Sequence, residues 1–80
     1  MPELRQYDPI RRAEILEDLW KVTKNDNTLR VELRTHPMGW EVCALVASQM
    51  HRTQVCKTEA DVHTTSEAWL TEATTRGWVA

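Results

Sequence analysis

Two cysteines and three histidines are the residues of this sequence that could serve as nucleophiles or soft metal ligands. The histidines, His36, His51 and His63, are scattered along the chain, and no pair of cysteines or histidines has the close spacing of a metal site. A reactive thiolate needs an electropositive environment, and the sequence around Cys43 and Cys56 indicates none. We therefore expect no metal and no cofactor, and a thiol-based redox role of the two cysteines ranks third among the possible functions.

The signatures of catalysis and of phosphate binding are also missing. No serine is flanked by glycines, and with only two glycines, Gly39 and Gly77, the chain has no phosphate-binding loop. Adjacent carboxylates such as Glu17 and Asp18 fall on a predicted polar helix face, where water solvates them. A chain of this size can hardly bury the ligand pocket of about 300 Å³ or more that small-molecule sites use. We predict that the protein is not an enzyme and has no small-molecule substrate.

The composition is that of one small folded domain. Ten Lys and Arg stand against 12 Asp and Glu, and the net charge of −2 disfavours general nucleic-acid binding. The N-terminus lacks the apolar stretch of a signal peptide, and the longest clean apolar run, 42–47, is far too short to span a membrane. We expect a cytoplasmic protein with reduced thiols and no membrane contact. We expect residues 1–80 to form a single domain, with 1–7 as a flexible N-terminal segment.

Two segments have the signals of amphipathic helices. Asp8 is a good N-cap and is followed by a proline, and apolar residues then recur at intervals of three and four, which predicts a helix over residues 9–24. Thr58 is the predicted N-cap of a second helix that begins with acidic residues. Gly77 and Trp78 fit the C-terminal cap of that helix, with the tryptophan folded back on its last turn.

Three segments predict strands of an antiparallel meander. Residues 29–34 alternate without a fault between apolar and polar side chains, residues 40–47 are rich in valine, and residues 52–57 form the third strand. Turns are expected at 36–39 and 48–51. The predicted fold is therefore α+β, in the order α-β-β-β-α, with a three-stranded antiparallel meander and both helices on one face of the sheet.

The pairing of the first hairpin decides which side chains face away from the helices. An even loop pairs Leu33 with Val42, whereas a bulged three-residue loop pairs Leu33 with Cys43 and exchanges the faces of the second strand. We favour the even loop because it keeps the inward positions apolar, but this register stays open. Both loops considered for the second hairpin set Cys43 opposite Cys56, which leaves a cross-strand disulfide possible.

The even register gives the helix-free face an apolar centre with a charged rim, which is typical of a contact surface. The alternative is that Leu45 is a single exposed apolar residue, which is ordinary. We expect a non-catalytic, cytoplasmic adaptor or regulatory module that forms a homodimer or binds a protein partner through this face. The interaction residues are Cys43, Leu45, Ala47 and Cys56 at the centre, Arg30, Arg34 and Glu41 at the rim, and Met38 at the turn.

A nucleic-acid-associated regulator with an arginine patch, Arg11, Arg12 and Arg30, is the alternative function. The predicted α-β-β-β-α order is similar, in topology alone, to that of double-stranded RNA-binding domains. Those domains carry a lysine-rich cluster at the start of their second helix. Residues 58–61 hold two carboxylates at that place, and these repel phosphate. Nucleic acid is therefore an unlikely partner.

Overall fold

A computed structural model describes residues 15–80 as one antiparallel sheet followed by one helix. The four strands pair in chain order, so the sheet is a meander. The α+β class is confirmed, but the sheet has a fourth strand where a helix was predicted. The elements are β1 Ile15–Lys24, β2 Asn27–His36, β3 Gly39–Val46, β4 Gln49–Cys56 and α1 Glu59–Thr75.

The prediction of a first helix over 9–24 is wrong for its described part, which is the edge strand β1. Residues 9–14 and the segment 1–7 lie outside the described residues. Two β-bulges interrupt the pairing of β1 with β2 between Ile15 and Trp20. Each bulge inserts an extra residue and breaks the period of two, and the apolar spacing that results imitates a helix.

The first and third hairpins close through two-residue turns with a left-handed backbone. Asn25 and Asp26 have φ of 51° and 69°, and Ala47 and Ser48 have φ of 53° and 68°. Positive φ at both central positions is the geometry of a type I′ turn, whose twist matches that of the paired strands. Because the third hairpin turns at Ala47 and Ser48, β4 begins at Gln49, and the turn predicted at 48–51 is displaced.

The even register of the first predicted hairpin is confirmed. Leu33 pairs with Val42, and the neighbouring pairs follow the same alternation. Gly39 ends the tight turn between β2 and β3 with φ of 139°. A Cβ at this position would lie 2.5 Å from the backbone oxygen of Cys56, so only glycine fits here without displacement of backbone.

The predicted pairing of the next hairpin is wrong. Cys43 lies opposite Thr53, and Cys56 lies opposite Trp40. The predicted and observed registers differ by an odd number of residues over this stretch, which exchanges the two faces of β4. Cys56 therefore faces the helix, and Val55 faces away from it.

The caps of α1 are confirmed at both ends. The Thr58 hydroxyl oxygen accepts a hydrogen bond of 3.0 Å from the backbone nitrogen of Asp61. At the other end the backbone nitrogen of Trp78 donates to the Ala73 oxygen at 3.1 Å, which is the long hydrogen bond of a Schellman cap. Gly77 supplies the required positive φ of 97°.

The core lies between α1 and one face of the sheet. Trp20 joins the two layers, because its indole nitrogen donates a 3.0 Å hydrogen bond to the Ser66 hydroxyl. After the helix the chain returns to the free edge of β1, where Val79 pairs with Thr23. The only helix in residues 15–80 is not long and apolar enough to cross a membrane. The buried core residues are Val31, Leu33, Val42, Ala44, Cys56, Val62 and Trp69.

Candidate protein-binding face

The face of the sheet opposite α1, which we call the outer face, is built by the alternate positions of each strand. Among residues 15–80 no helix lies on it, since α1 packs on the other side. Its β2 side is charged, and its side on β3 and β4 is largely apolar. The residues that define it are Asp18 and Lys21 on β1, Arg30, Glu32 and Arg34 on β2, Glu41, Cys43 and Leu45 on β3, and Met50, Thr53 and Val55 on β4.

A buried carboxylate organises the charged half of the outer face. Glu32 is 1% exposed, and its two carboxylate oxygens accept from Arg30 Nη2 at 2.8 Å and from Arg34 Nη2 at 2.9 Å. Arg34 Nε donates a further bond of 3.0 Å. The period of two places the three side chains side by side, so an acidic residue between two arginines at alternate positions is the sequence signal that predicts this cluster.

One donor of the cluster has no partner. Arg30 Nε is buried and makes no hydrogen bond within the described part of the chain. Oδ1 of Asp18 on β1 lies 3.9 Å from this nitrogen, which is an ion pair but too long for a hydrogen bond. Arg30 therefore holds Glu32 through Nη2, while its Nε is enclosed without a hydrogen bond.

The apolar half differs from the prediction in what it exposes. Cys43 and Leu45 face away from α1, as predicted, but both are buried, whereas we expected them to face water. The accessible apolar side chains are Met50, 48% exposed, and Val55, 38% exposed. Sequence reasoning missed Met50 because it placed this residue in the turn at 48–51, and it missed Val55 because the predicted register turned Val55 toward the helices.

Burial makes Cys43 a poor nucleophile. Burial first, and then the negative charge of Glu41, raises the pKa of the Cys43 thiol from its ordinary value of 9.0 to about 11. Arg34 opposes this shift, and Glu32 adds to it. The thiol is therefore protonated at neutral pH, which is the opposite of the activation that thiol chemistry needs.

Cys56 does not belong to the outer face, contrary to the prediction. It is buried in the core, with its sulfur 3.6 Å from Oγ1 of Thr65 on α1. Cys43 and Cys56 are both free thiols on opposite faces of the sheet, so the cross-strand pairing that a disulfide needs does not exist.

The other predicted interaction residues are divided between the centre of the outer face and its ends. Arg34 and Glu41 are directly opposite each other on β2 and β3, as predicted. Ala47 lies in the type I′ turn after β3 and is exposed. Met38 is exposed in the turn before β3, at the other end of that strand. The structure thus brings Arg30, Arg34, Glu41, Cys43 and Leu45 together and leaves Met38 and Ala47 at the margins.

Neither a metal site nor an arginine patch is formed by the described residues. No group of three or more His, Cys, Asp or Glu side chains in residues 15–80 could hold a metal ion. Arg11 and Arg12 lie outside this range, and Arg30 is bound to Glu32.

Comparison with protein-family models, with curated proteins and with solved structures gives no match to this chain. Function is therefore inferred from the outer face.

Proposed function

We propose that this chain is a non-catalytic protein-binding module that forms a homodimer through its outer face. The observation that supports this most is the exposure of Met50 and Val55 on a sheet face that carries no described helix. Antiparallel sheets that face water on one side normally place polar residues there. An apolar half beside a charged half is instead the pattern of an interface core with its polar rim.

The charges of the outer face favour a second copy of the same chain as the occupant. In a two-fold dimer the same surface lies on both sides, so it must be complementary to itself. The outer face carries both signs, with the partly exposed guanidinium of Arg30 close to the exposed carboxylate of Asp18. Stacked face to face, the partly exposed guanidinium of Arg30 in one protomer can pair with the exposed carboxylate of Asp18 in its partner.

The size of the face predicts a weak dimer. Four strands about 4.8 Å apart and some eight residues long, at about 3.3 Å per residue, cover roughly 500 Å² per protomer. The total of about 1,000 Å² is near the lower limit for a specific interface. We therefore expect dissociation in the micromolar range, where monomer and dimer exchange.

Sedimentation velocity over a concentration series tests this proposal. We expect the wild-type chain to pass from monomer to dimer between about 1 and 200 μM. Val55→Glu and Met50→Glu each place a charge in the apolar half, and both should remain monomeric. Ala68→Glu is the matched control, because it adds the same charge at an exposed position of α1 and should dimerise like the wild type.

Two results would contradict the proposal. A wild-type chain that stays monomeric at the highest concentration has no such interface. A dimer that persists in both Val55→Glu and Met50→Glu uses another surface, such as the free backbone edge of β4, since side chains on the sheet face do not take part in edge pairing.

A further inference from the structure

A cleft lined by tryptophans lies between α1 and the sheet, near the C-terminal end of the helix. Its walls include three of the four tryptophans of the chain, Trp20, Trp69 and Trp78, and its volume is about 80 Å³. None of its lining residues belongs to the outer face, so it is independent of the proposed homodimer. Its apolar floor consists of Leu29, Val31, Ala44 and Val46.

Polar contacts hold the side chains of Trp20 and Trp69 and the backbone of Trp78 in place. The indole of Trp20 is fixed by its bond to Ser66, and the backbone of Trp78 is fixed by the helix cap. Arg52 stacks on Trp69, with its guanidinium carbon 4.2 Å from the ring centroid. A cleft whose walls are already ordered loses little side-chain entropy when a ligand enters.

The mouth of the cleft carries excess positive charge. Arg52 Nη1 binds Glu72 Oε1 at 2.8 Å, so these two charges compensate each other. Arg76 also lines the mouth, and its guanidinium makes no salt bridge within residues 15–80. Lys24 adds a second cation close by, because its ammonium donates to the Arg76 backbone oxygen at 2.6 Å. An anionic group at the mouth would find a guanidinium, that of Arg76, without a salt bridge to any of residues 15–80.

We propose that this cleft binds a short, branched aliphatic carboxylate. Its hydrocarbon part would lie between the tryptophans, and its carboxylate would pair with the guanidinium of Arg76. An apolar cavity of about 150 Å³ accommodates benzene. A cavity of about 80 Å³ has room for a branched group of about four carbons, with the polar end outside. The sequence predicted no small-molecule substrate because a chain of this size can hardly bury a pocket of about 300 Å³ or more, but a cleft of about 80 Å³ needs far less volume.

Titration with three ligands of the same shape tests the proposal. Isovalerate, isovaleramide and isoamylamine share the same branched five-carbon skeleton and differ in the charge of the polar end. The indole N–H resonances of the ¹⁵N-labelled chain report on binding, up to about 20 mM because ligands of this size bind weakly. We expect saturable shifts for Trp20, Trp69 and Trp78 with isovalerate, weaker ones with the amide, and none with the amine.

An internal reference and a charge variant complete the test. Trp40 borders a different cavity, beside Leu33 and Val62, and its resonance should not move. Arg76→Gln should weaken isovalerate binding about fivefold or more and leave isovaleramide unchanged, whereas Lys21→Gln on the exposed surface of β1 should change neither. Equal binding of the three ligands, equal shifts of all four indoles or no saturation would overturn the proposal.

Discussion

Replacement of Glu32 by glutamine tests the charge cluster of the outer face. The substitution keeps the shape of the side chain and removes its negative charge. The guanidinium groups of Arg30 and Arg34, which lie 2.8 and 2.9 Å from the carboxylate oxygens of Glu32, would then contact a neutral amide. No negative charge would compensate the two positive charges at this place. We therefore expect Glu32→Gln to lower the free energy of unfolding.

The magnitude follows from how much of the cluster is shielded from water. Removal of one partner from a fully buried ion pair costs about 3–5 kcal/mol. The Glu32 side chain is 2% exposed, but those of Arg30 and Arg34 are 39% and 23% exposed and can turn toward water. This recovery of hydration reduces the expected loss to about 2 kcal/mol, which corresponds to a decrease in Tm of roughly 10 °C for a domain of this size.

Urea unfolding at a concentration where the chain is monomeric measures this loss without a contribution from association. Asp18→Asn is the matched control, because Asp18 has the same charge and faces the same Arg30 but is 64% exposed and 3.9 Å away. We expect the control to change the free energy of unfolding by less than about 0.5 kcal/mol. If Glu32→Gln loses no more than Asp18→Asn, the cluster does not stabilise the sheet and the reasoning is refuted.

Two further predictions concern Cys43 and the third hairpin. The folded state raises the pKa of Cys43 from 9.0 to about 11, so its contribution to stability is complete below pH 9 and is lost toward pH 11. Between pH 9 and pH 11 the free energy of unfolding of the wild type should therefore fall by up to about 3 kcal/mol more than that of Cys43→Ala. The same pH dependence in both proteins would disprove this prediction. Ser48→Gly should stabilise the chain by about 0.5 kcal/mol, since Ser48 has φ of 68° and glycine is favoured at this position of a type I′ turn. A decrease in Tm of this variant would show that the turn is not strained.

The correctly predicted elements are those whose signals are local. The capping side chain of Thr58 and the left-handed Gly77 act within a few residues of their own helix, so the sequence contains the whole signal. The alternation of β2 is also complete in itself, and together with the valines of β3 it favoured the even register of the β2–β3 hairpin, which is confirmed.

The incorrect predictions arise where tertiary pairing overrides a local pattern. The bulges of β1 depend on β2 and cannot be read from β1 alone, so the apolar spacing up to Trp20 indicated a helix. The turn at Ala47 and Ser48 has none of the Asn-Gly or Asp-Gly chemistry that marks a type I′ turn. The displaced turn alone would have kept the faces of β4, but the register shift between Ala44 and Leu45 exchanges them, and it places Cys56 toward the helix and Val55 on the outer face.

The orientation of the outer face was predictable, but its burial was not. Period two along β2 and β3 was enough to place Arg30, Glu41 and Leu45 on the side away from the helix. Burial depends on how neighbouring long side chains fold over the sheet, as the two arginines do around Glu32. The alternation of apolar and polar residues along a strand predicts the face on which a side chain lies, but it does not predict the solvent exposure of that side chain.

The most direct test of the proposed homodimer is an isotope-filtered NOE experiment on a mixture of ¹³C-labelled and unlabelled chains. It detects only contacts between protomers. The proposal predicts intermolecular NOEs that join the methyl groups of Met50 and Val55 of one protomer to the outer face of its partner. Intermolecular NOEs that come instead from the exposed Ile15 and Leu16 of β1, or from α1, would contradict it.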